Sequence, residues 1–308
     1  MKKLSLILLS GSIALLFTQC SKQANGGLDP ITGKPLQLSA TATTSALACD
    51  CHESSNKITG TDAAAWAVQF APLLKFDQAA PDYPTSVEDV WACTSPASIV
   101  CGGRLVLTNN VPPRSLLFPT YYEVQVSPND ANRIFVDYWW IYKRQENCIG
   151  SVGGHDYDLE HVVVQFNRAT QQAISVTYFQ HAGWYTKKAS NVISGNKIQV
   201  FVGKIAHGSY HFRNTISFPG YSCSYWGDYR NPNGTRDEAI TGNNLVQMSC
   251  DVTQFNFNGS WGDPGSGPLY RDRAYWNYAS CRGTDGALGT VDGCSQCDYS
   301  NTALIGSL

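Results

Sequence analysis

The segment from residue 153 to 166, GGHDYDLEHVVVQF, places two histidines, two aspartates and a glutamate directly before a run of valines. Because side chains alternate along a strand, Asp158 and Glu160 share one face with the first and third of these valines. Carboxylates two positions apart repel each other, and partial burial raises that cost unless a cation or hydrogen-bond donors compensate. The spacing leaves two interpretations open, which are a divalent-metal site and a solvated strand end.

The chemistry of a metal site here would be that of oxygen ligands with an imidazole. His155 follows Gly153 and Gly154, whose backbone freedom would let the imidazole fold over the strand end. Such a set suits Mg²⁺, Ca²⁺ or Mn²⁺, and Zn²⁺ fits less well because no thiolate is expected to be free.

The elements that must position this segment are mostly strands. Short stretches of β-branched and aromatic residues alternate with turn-forming ones such as SPNDAN, SVGG, NRATQQ and ISGN. This rhythm predicts a mainly β protein, an antiparallel β-sandwich with a few short helices and long loops stapled by disulfides. Residues 61–74 are predicted to hold a short helix capped by Asp62. The predicted strands are residues 121–126, 133–142, 159–166, 173–179 and 197–203.

Three aromatic residues, Tyr138, Trp140 and Tyr142, share one face of the second predicted strand. Such a row either packs in the core of a sandwich or stacks on sugar rings, and the core interpretation is favoured.

The N-terminal 19 residues carry two lysines and then an apolar run of roughly 14 residues, which is shorter than a membrane-spanning helix and typical of an export signal. The stretch that ends at Cys20 resembles a loose bacterial lipobox, so Cys20 is predicted to be acylated and to anchor the chain in a membrane. Residues 20–48 are then a flexible tether, and residues 49–308 a single domain. We expect a lipoprotein of the bacterial cell envelope, in the outer membrane or at the cell surface, or a secreted protein if Cys20 is not acylated.

The cysteine content indicates the compartment in which the protein folds, and the charge indicates which partners it does not bind. Of 11 cysteines, those beyond Cys20 form an even set that predicts up to five disulfides in an oxidising compartment. Charged residues make up 15% of the chain and the net charge is −2, so no basic field exists to bind nucleic acid.

The stretch GHDYDLE, residues 154–160, resembles the G-H-R-H-D-W-E heptapeptide of the necrosis- and ethylene-inducing protein family. It also resembles the H-x-x-D-W-E segment of the related vacuolar-sorting-associated domain. Further segments follow in the order those families would have them, namely FAPLLKFDQAAPDYPTS (70–86), YFQHAGWY (178–185), VGKIAHGSYHF (202–212) and GSWGDPGSGP (259–268).

This resemblance implies a β-sandwich with a divalent ion held by His155, Asp158 and Glu160, with Glu146 as the upstream acid. Family members bind sphingolipid head groups of plant membranes. Here Asp156, Tyr157 and Leu159 replace the family's Arg, second His and Trp, so a different target is expected. The positions expected to contact the ligand or to lie at the rim of the site are His181, His207, His211, Asp156, Tyr157 and Trp184.

The leading hypothesis is therefore a membrane-anchored lipoprotein whose metal site binds the polar head group of a lipid or a glycan. One alternative is a metal-dependent hydrolase with His181 or His207 as proton shuttle. Another is a structural surface module without metal. Sequence support for an enzyme is thin, because no G-x-S-x-G elbow surrounds Ser209.

Overall fold

The structure is a computed structural model that describes residues 49, 51, 53–111, 115–127, 130–147, 153–180, 183–215 and 228–262. All of these residues fall within one compact unit, Ser39–Leu308. The predicted export signal (1–19), Cys20 and the predicted tether (20–48) lie outside the described residues. Within the described ranges, no helix combines the length and the apolar character needed to cross a bilayer.

Most of the described chain is β-structure, as the alternation of β-branched and aromatic stretches predicts. The two α-helices of the described residues are α1 (Gly60–Phe70) and α2 (Val87–Ala92). All five predicted strands are confirmed, as β2, β3, β4, β5 and β8. The strands are β1 (Leu73–Lys75), β2 (Thr120–Ser127), β3 (Asp130–Gln145), β4 (His155–Asn167), β5 (Gln172–Gln180), β6 (Gly183–Lys188), β7 (Ile193–Ser194), β8 (Lys197–Val202), β9 (Ser209–Tyr210), β10 (Glu238–Ile240) and β11 (Leu245–Gln247).

These strands form two sheets. The larger sheet has the order β11-β2-β3-β4-β5-β6, and the smaller has the order β10-β1-β8-β7, with β9 paired to β8. Most neighbours are antiparallel, which confirms the sandwich. Two pairs, β1 with β8 and β11 with β2, are parallel, so the sheets are mixed rather than wholly antiparallel.

The core between the sheets contains the inner face of the larger sheet. Tyr138, Trp140 and Tyr142 of β3 are all buried there, beside Val162 and Val164 of β4. The aromatic row therefore packs in the core, as a sandwich favours. The Tyr138 hydroxyl donates to the Ala67 carbonyl of α1, and Trp140 Nε1 donates to Thr120 Oγ1, so these two buried polar groups are satisfied.

A second core covers the outer face of the larger sheet. Trp139 of β3 and Tyr157 of β4 pack there with Trp91 of α2 and with Trp261. The Val87 backbone N–H at the start of α2 donates to the Tyr121 hydroxyl at 2.8 Å, which fixes the helix on this face.

The helix α1 begins earlier than the sequence predicts. Thr59 is its N-cap residue, and no side-chain hydrogen bond caps it. Asp62 lies in the first turn, so the prediction that Asp62 caps the helix is wrong. The helix ends at Phe70, because Pro72 cannot continue it, and residues 73–75 become strand β1.

Disulfides tie distant loops to the start of the domain. Cys49 is bonded to Cys101, Cys51 is bonded to Cys250, and Cys93 is also disulfide-bonded. These bonds indicate that the domain folds in an oxidising compartment outside the cytoplasm.

Candidate functional site

Strand β4 carries the acidic motif into the inner core. Asp158 lies opposite Tyr142 of β3, and Glu160 lies opposite Trp140. Asp158 is 6% exposed and Glu160 is 4% exposed, so both carboxylates are buried at the end of the sandwich. The strand alternation that the sequence predicts is confirmed, and the interpretation of these acids as a solvated strand end is excluded by their burial.

His207 compensates part of this buried negative charge. Its Nδ1 lies 2.7 Å from Asp158 Oδ2, and its Nε2 lies 2.9 Å from Asp82 Oδ1. The ring also stacks on Tyr142, with centroids 3.8 Å apart and planes 5° apart. Both ring nitrogens face a carboxylate oxygen, an arrangement that suits an imidazolium donating to two ionised carboxylates.

The charge state of His207 follows from its neighbours. Burial opposes protonation, but the charge of Asp82 and the hydrogen bonds with Asp158 and Asp82 outweigh it and hold the pKa of His207 well above its ordinary value. The result is a buried cation between two carboxylates, which ties the loop before α2, strand β4 and the loop after β8 together.

The loop after β8 is shaped to present this imidazolium. His207 has a φ of 52°, in the left-handed region, and its neighbours hold it there. The Gly203 N–H donates to the Gly208 carbonyl at 2.9 Å, and the Ala206 N–H donates to Asp228 Oδ2 at 3.2 Å. A Cβ at Gly203 would lie 1.6 Å from Asp228 Oδ2, so only glycine fits at this position.

Glu160 is the least compensated acid of the cluster. Its Oε2 is buried and has no hydrogen-bond partner among the residues that the structure describes. Burial raises the pKa of Glu160 well above its ordinary value, the charges of Asp158 and Asp228 raise it further, and His207 opposes them. Within the described ranges, the second oxygen of this carboxyl therefore has neither a donor nor a cation beside it.

His155, the first residue of β4, shows the same kind of deficit. It is half-buried, and its Nδ1 is buried with no hydrogen-bond partner in the described part of the chain. Asp156 is also half-buried and lies in register with Arg144 of β3. Glu146 is exposed just beyond the end of β3, so the structure does not place it among the buried acids.

Tyr157 does not lie at the rim of this cluster. It has a φ of 60° and is buried in the core of the outer face, where its hydroxyl lies 2.9 Å from Thr94 Oγ1. Burial and the charge of Asp156 raise the pKa of Tyr157 to about 12, against the lowering effect of the Thr94 hydrogen bond. The structure thus gives Tyr157 a packing role, because strand alternation turns it away from Asp158.

The other residues predicted to lie at the rim of the site are His211, Trp184 and His181. His211 is half-buried, and its Nδ1 lies 2.9 Å from the Tyr185 hydroxyl. Trp184 belongs to β6, where its backbone pairs with that of Phe179. The structure does not describe its side chain. His181 lies outside the described residues.

The sequence does not predict that three further residues belong to this cluster, namely Asp82, Asp228 and Tyr142. Asp82 and His207 are 125 positions apart, and no local pattern connects them. Asp82 does fall inside the 70–86 segment, and His207 inside the 202–212 segment, that carry the family resemblance.

No group of three or more His, Cys, Asp or Glu side chains is arranged to hold a metal ion in the part of the chain that the structure describes. The cluster is therefore a set of buried acids around one imidazolium, with unsatisfied atoms on Glu160 and His155.

Among known proteins, only solved structures resemble this chain, and the resemblance is one of fold. No protein-family model matches the sequence, and no curated protein matches it. Several solved structures of necrosis- and ethylene-inducing proteins resemble it. One, described as a toxin fold that is the basis for microbial attack and plant defense, is 18% identical, covers 64% of this chain and 79% of that chain, and has a TM-score of 0.36.

Two further structures give the same picture. NLPPya in complex with mannosamine is 17% identical over 65% of this chain and 79% of that chain, with a TM-score of 0.35. The non-toxic HaNLP3 protein is 15% identical over 64% of this chain and 80% of that chain, with a TM-score of 0.37. The function proposed below rests on the chain's own residues.

Proposed function

We propose that the buried acidic end of the sandwich binds a divalent cation, and that the protein uses it to bind the polar head group of a lipid or a glycan. One observation carries the proposal. Glu160 Oε2 and His155 Nδ1 are both buried with no hydrogen-bond partner among the described residues, and both belong to the ligand set that the resemblance implies. Buried polar atoms are usually paired, and these two are among twelve buried side-chain atoms of the described residues that have no such partner. A bound ion would supply the partner that both atoms lack.

The donor chemistry fits an ion that prefers oxygen. Asp158 and Glu160 would supply carboxylates, which suit Mg²⁺, Ca²⁺ or Mn²⁺ better than Zn²⁺. The described side chains do not bring His155 into a three-residue group with these acids, so its imidazole nitrogen would join them only on binding. Removing the repulsion between Glu160 and its acidic neighbours is the gain that binding would bring. A bound ion supplies positive charge that attracts phosphate or hydroxyl oxygens of a ligand.

The protein's own residues set the orientation of this site. His207 holds Asp158 from one side, so the carboxylate cannot turn freely toward another partner. Tyr142 and the loop shaped by Asp228 hold His207 in turn. Glu146, which is exposed, could join only from the solvent side.

The proposed setting is the bacterial cell envelope, with the domain exported by residues 1–19 and anchored through an acylated Cys20. The tether of residues 20–48 would then let the domain reach a head group near the membrane. Glucosamine and mannosamine, which occur in complexes of NLPPya, are the first ligand probes to try.

Metal content of the refolded full domain tests the proposal. Wild type and the pair Asp158→Ala/Glu160→Ala are equilibrated with Mg²⁺, Ca²⁺ or Mn²⁺, passed over a desalting column, and analysed by mass spectrometry for bound metal. We expect about one ion per wild-type chain and a clear rise in melting temperature with added ion. The control pair Asp62→Ala/Asp251→Ala removes the same charge from exposed positions and should behave as wild type.

The proposal fails if wild type and Asp158→Ala/Glu160→Ala retain equally little metal and melt at the same temperature with and without each ion. It also fails if the control pair loses as much metal as the site pair, because binding would then follow net charge rather than the buried cluster.

A further inference from the structure

Three side chains near the acidic cluster form a stack that ends at the surface. The guanidinium of Arg230 lies 3.6 Å from the ring centroid of Tyr210 and 4.6 Å from that of Phe212. Tyr210 and Arg230 are fully buried, whereas Phe212 is 36% exposed. A buried cation thus supports an aromatic ring that solvent can reach.

Phe212 is unusual among the exposed side chains. Of the aromatic side chains that the structure describes, it is the only one that is exposed; the other large exposed hydrophobic residues are aliphatic. Single exposed aliphatic side chains need no explanation, whereas aromatic side chains are enriched in binding surfaces relative to the rest of a protein surface.

Two neighbours, Arg230 and His211, contact the Phe212 ring, and hydrogen bonds fix both of them. Arg230 Nε donates to the Phe212 carbonyl at 2.8 Å, and the other end of the guanidinium donates to the Asp228 carbonyl. The His211 ring meets Phe212 at 4.7 Å with planes 62° apart, and the Tyr185 hydroxyl accepts from the His211 backbone N–H at 3.0 Å. An aromatic surface whose orientation is already fixed loses little entropy when a ligand stacks on it.

The stack also reaches the acidic cluster. Burial and then the charge of Asp228 raise the pKa of Tyr210, and the charge of Glu160 contributes as well. The buried end of the stack therefore lies within electrostatic reach of the proposed ion site. Phe212 also follows His207 by only five positions, through β9.

We infer that Phe212, supported by Arg230 and flanked by His211, is a stacking platform for the ring of a sugar. The C–H groups on one face of a hexose form an apolar patch with a weak positive potential, which complements the negative face of an aromatic ring. The neighbouring acids and the proposed ion supply the polar contacts that an apolar platform lacks. This inference rests on the proposed function and assigns a carbohydrate ring to the ligand.

Sugar binding by Phe212 variants tests the platform. Glucosamine and mannosamine are titrated into the full domain with the divalent ion present, and binding is followed by calorimetry and by the proton shifts of the sugar. We expect Phe212→Ala and Phe212→Leu to weaken binding about tenfold, and Phe212→Trp to retain it, because only the ring stacks. Ile193→Ala, which truncates an exposed aliphatic residue on β7, should bind as wild type.

The ring current of Phe212 gives a readout that a merely structural role would not move. Sugar protons that stack on the ring should shift upfield in wild type and in Phe212→Trp, and this shift should vanish in Phe212→Leu. Melting temperatures of all variants establish that each domain is folded.

Different outcomes would contradict the proposed platform and the proposed ion site. If Phe212→Leu binds the sugars as tightly as wild type while Asp158→Ala does not, the platform is wrong and the proposed function stands. If Phe212→Leu loses binding but removal of the ion changes nothing, the platform stands and the ion site is wrong. If wild type retains the ion but binds neither sugar, the platform is overturned.

Discussion

His207 donates a hydrogen bond to Asp158 at 2.7 Å across 49 positions of sequence, from a loop to the strand that carries the acidic motif. The opposite ring nitrogen is bound to Asp82, so one imidazolium joins three segments of the chain. Because removing one partner of a buried ion pair leaves an uncompensated charge, this bridge should dominate the local stability of the site.

Replacing His207 should therefore be costly. We expect His207→Gln to lower the free energy of unfolding by roughly 3–5 kcal/mol, because Asp82 and Asp158 would remain buried without their cation. Urea unfolding followed by fluorescence measures the loss. His211→Gln, at a half-buried histidine, is the matched control and should cost less. Equal losses in the two variants would contradict a central role for the bridge.

Glu160 should make stability depend on pH in a defined direction. Its folded-state pKa is raised above the ordinary value of 4.5, so its contribution is fully present below that value and is lost as pH rises through the folded pKa. We expect Glu160→Gln to be more stable than wild type at neutral pH without metal, with the difference shrinking toward pH 4.5. Melting curves across this range measure it. A variant less stable than wild type at neutral pH would contradict the prediction.

Added divalent ion should reverse the order of stability of wild type and Glu160→Gln. An ion bound by the Glu160 carboxylate stabilises wild type but has less to bind in Glu160→Gln. The two melting temperatures should therefore converge or cross as the ion is titrated. Parallel curves at every ion concentration would show that Glu160 takes no part in binding.

The buried tyrosines should control unfolding at alkaline pH. The pKa of Tyr157 is raised to about 12, and burial raises those of Tyr121, Tyr138, Tyr142 and Tyr178 well above the ordinary value. A raised folded-state pKa means that stability is present below the unfolded value and is lost as pH rises through the folded one. We expect stability to fall above about pH 10, with these tyrosines ionising only as the domain unfolds.

Ultraviolet difference absorbance and circular dichroism, recorded together, measure this coupling. The control Tyr157→Phe removes one buried hydroxyl and should move the midpoint of unfolding to higher pH. Ionisation of all 16 tyrosines near pH 10 in a folded domain would contradict the prediction.

The predicted acylation of Cys20 has a direct test in cells. Cys20→Ser removes the thiol that would carry the lipid, and we expect the protein to move from the membrane fraction to the soluble fraction. Metabolic labelling with a fatty acid should mark wild type and leave the variant unmarked. An unchanged membrane fraction in the variant would exclude a lipid anchor at this residue.

Much of the fold follows from local patterns that sequence carries directly. Stretches of β-branched and aromatic residues between turn-forming ones predict β2, β3, β4, β5 and β8, and the alternation of side chains along β4 correctly places Asp158 and Glu160 on one face. The same alternation predicts that Tyr157 points the other way, which its burial in the outer core confirms. Loop and helix boundaries are less regular, and Thr59 rather than Asp62 precedes α1 because short helices lack a strong periodic signal.

The sequence by itself thus determined the strands and placed Asp158 and Glu160 on one face of β4, because these features depend on neighbours within a few positions. Only the tertiary structure decided the partners of these two acids. Asp82, His207 and Asp228 come from loops far apart in the chain, and their contacts arise from the packing of two sheets. The stack of Tyr210, Arg230 and Phe212 has the same origin, because a guanidinium between two rings requires segments that meet only when the sandwich closes.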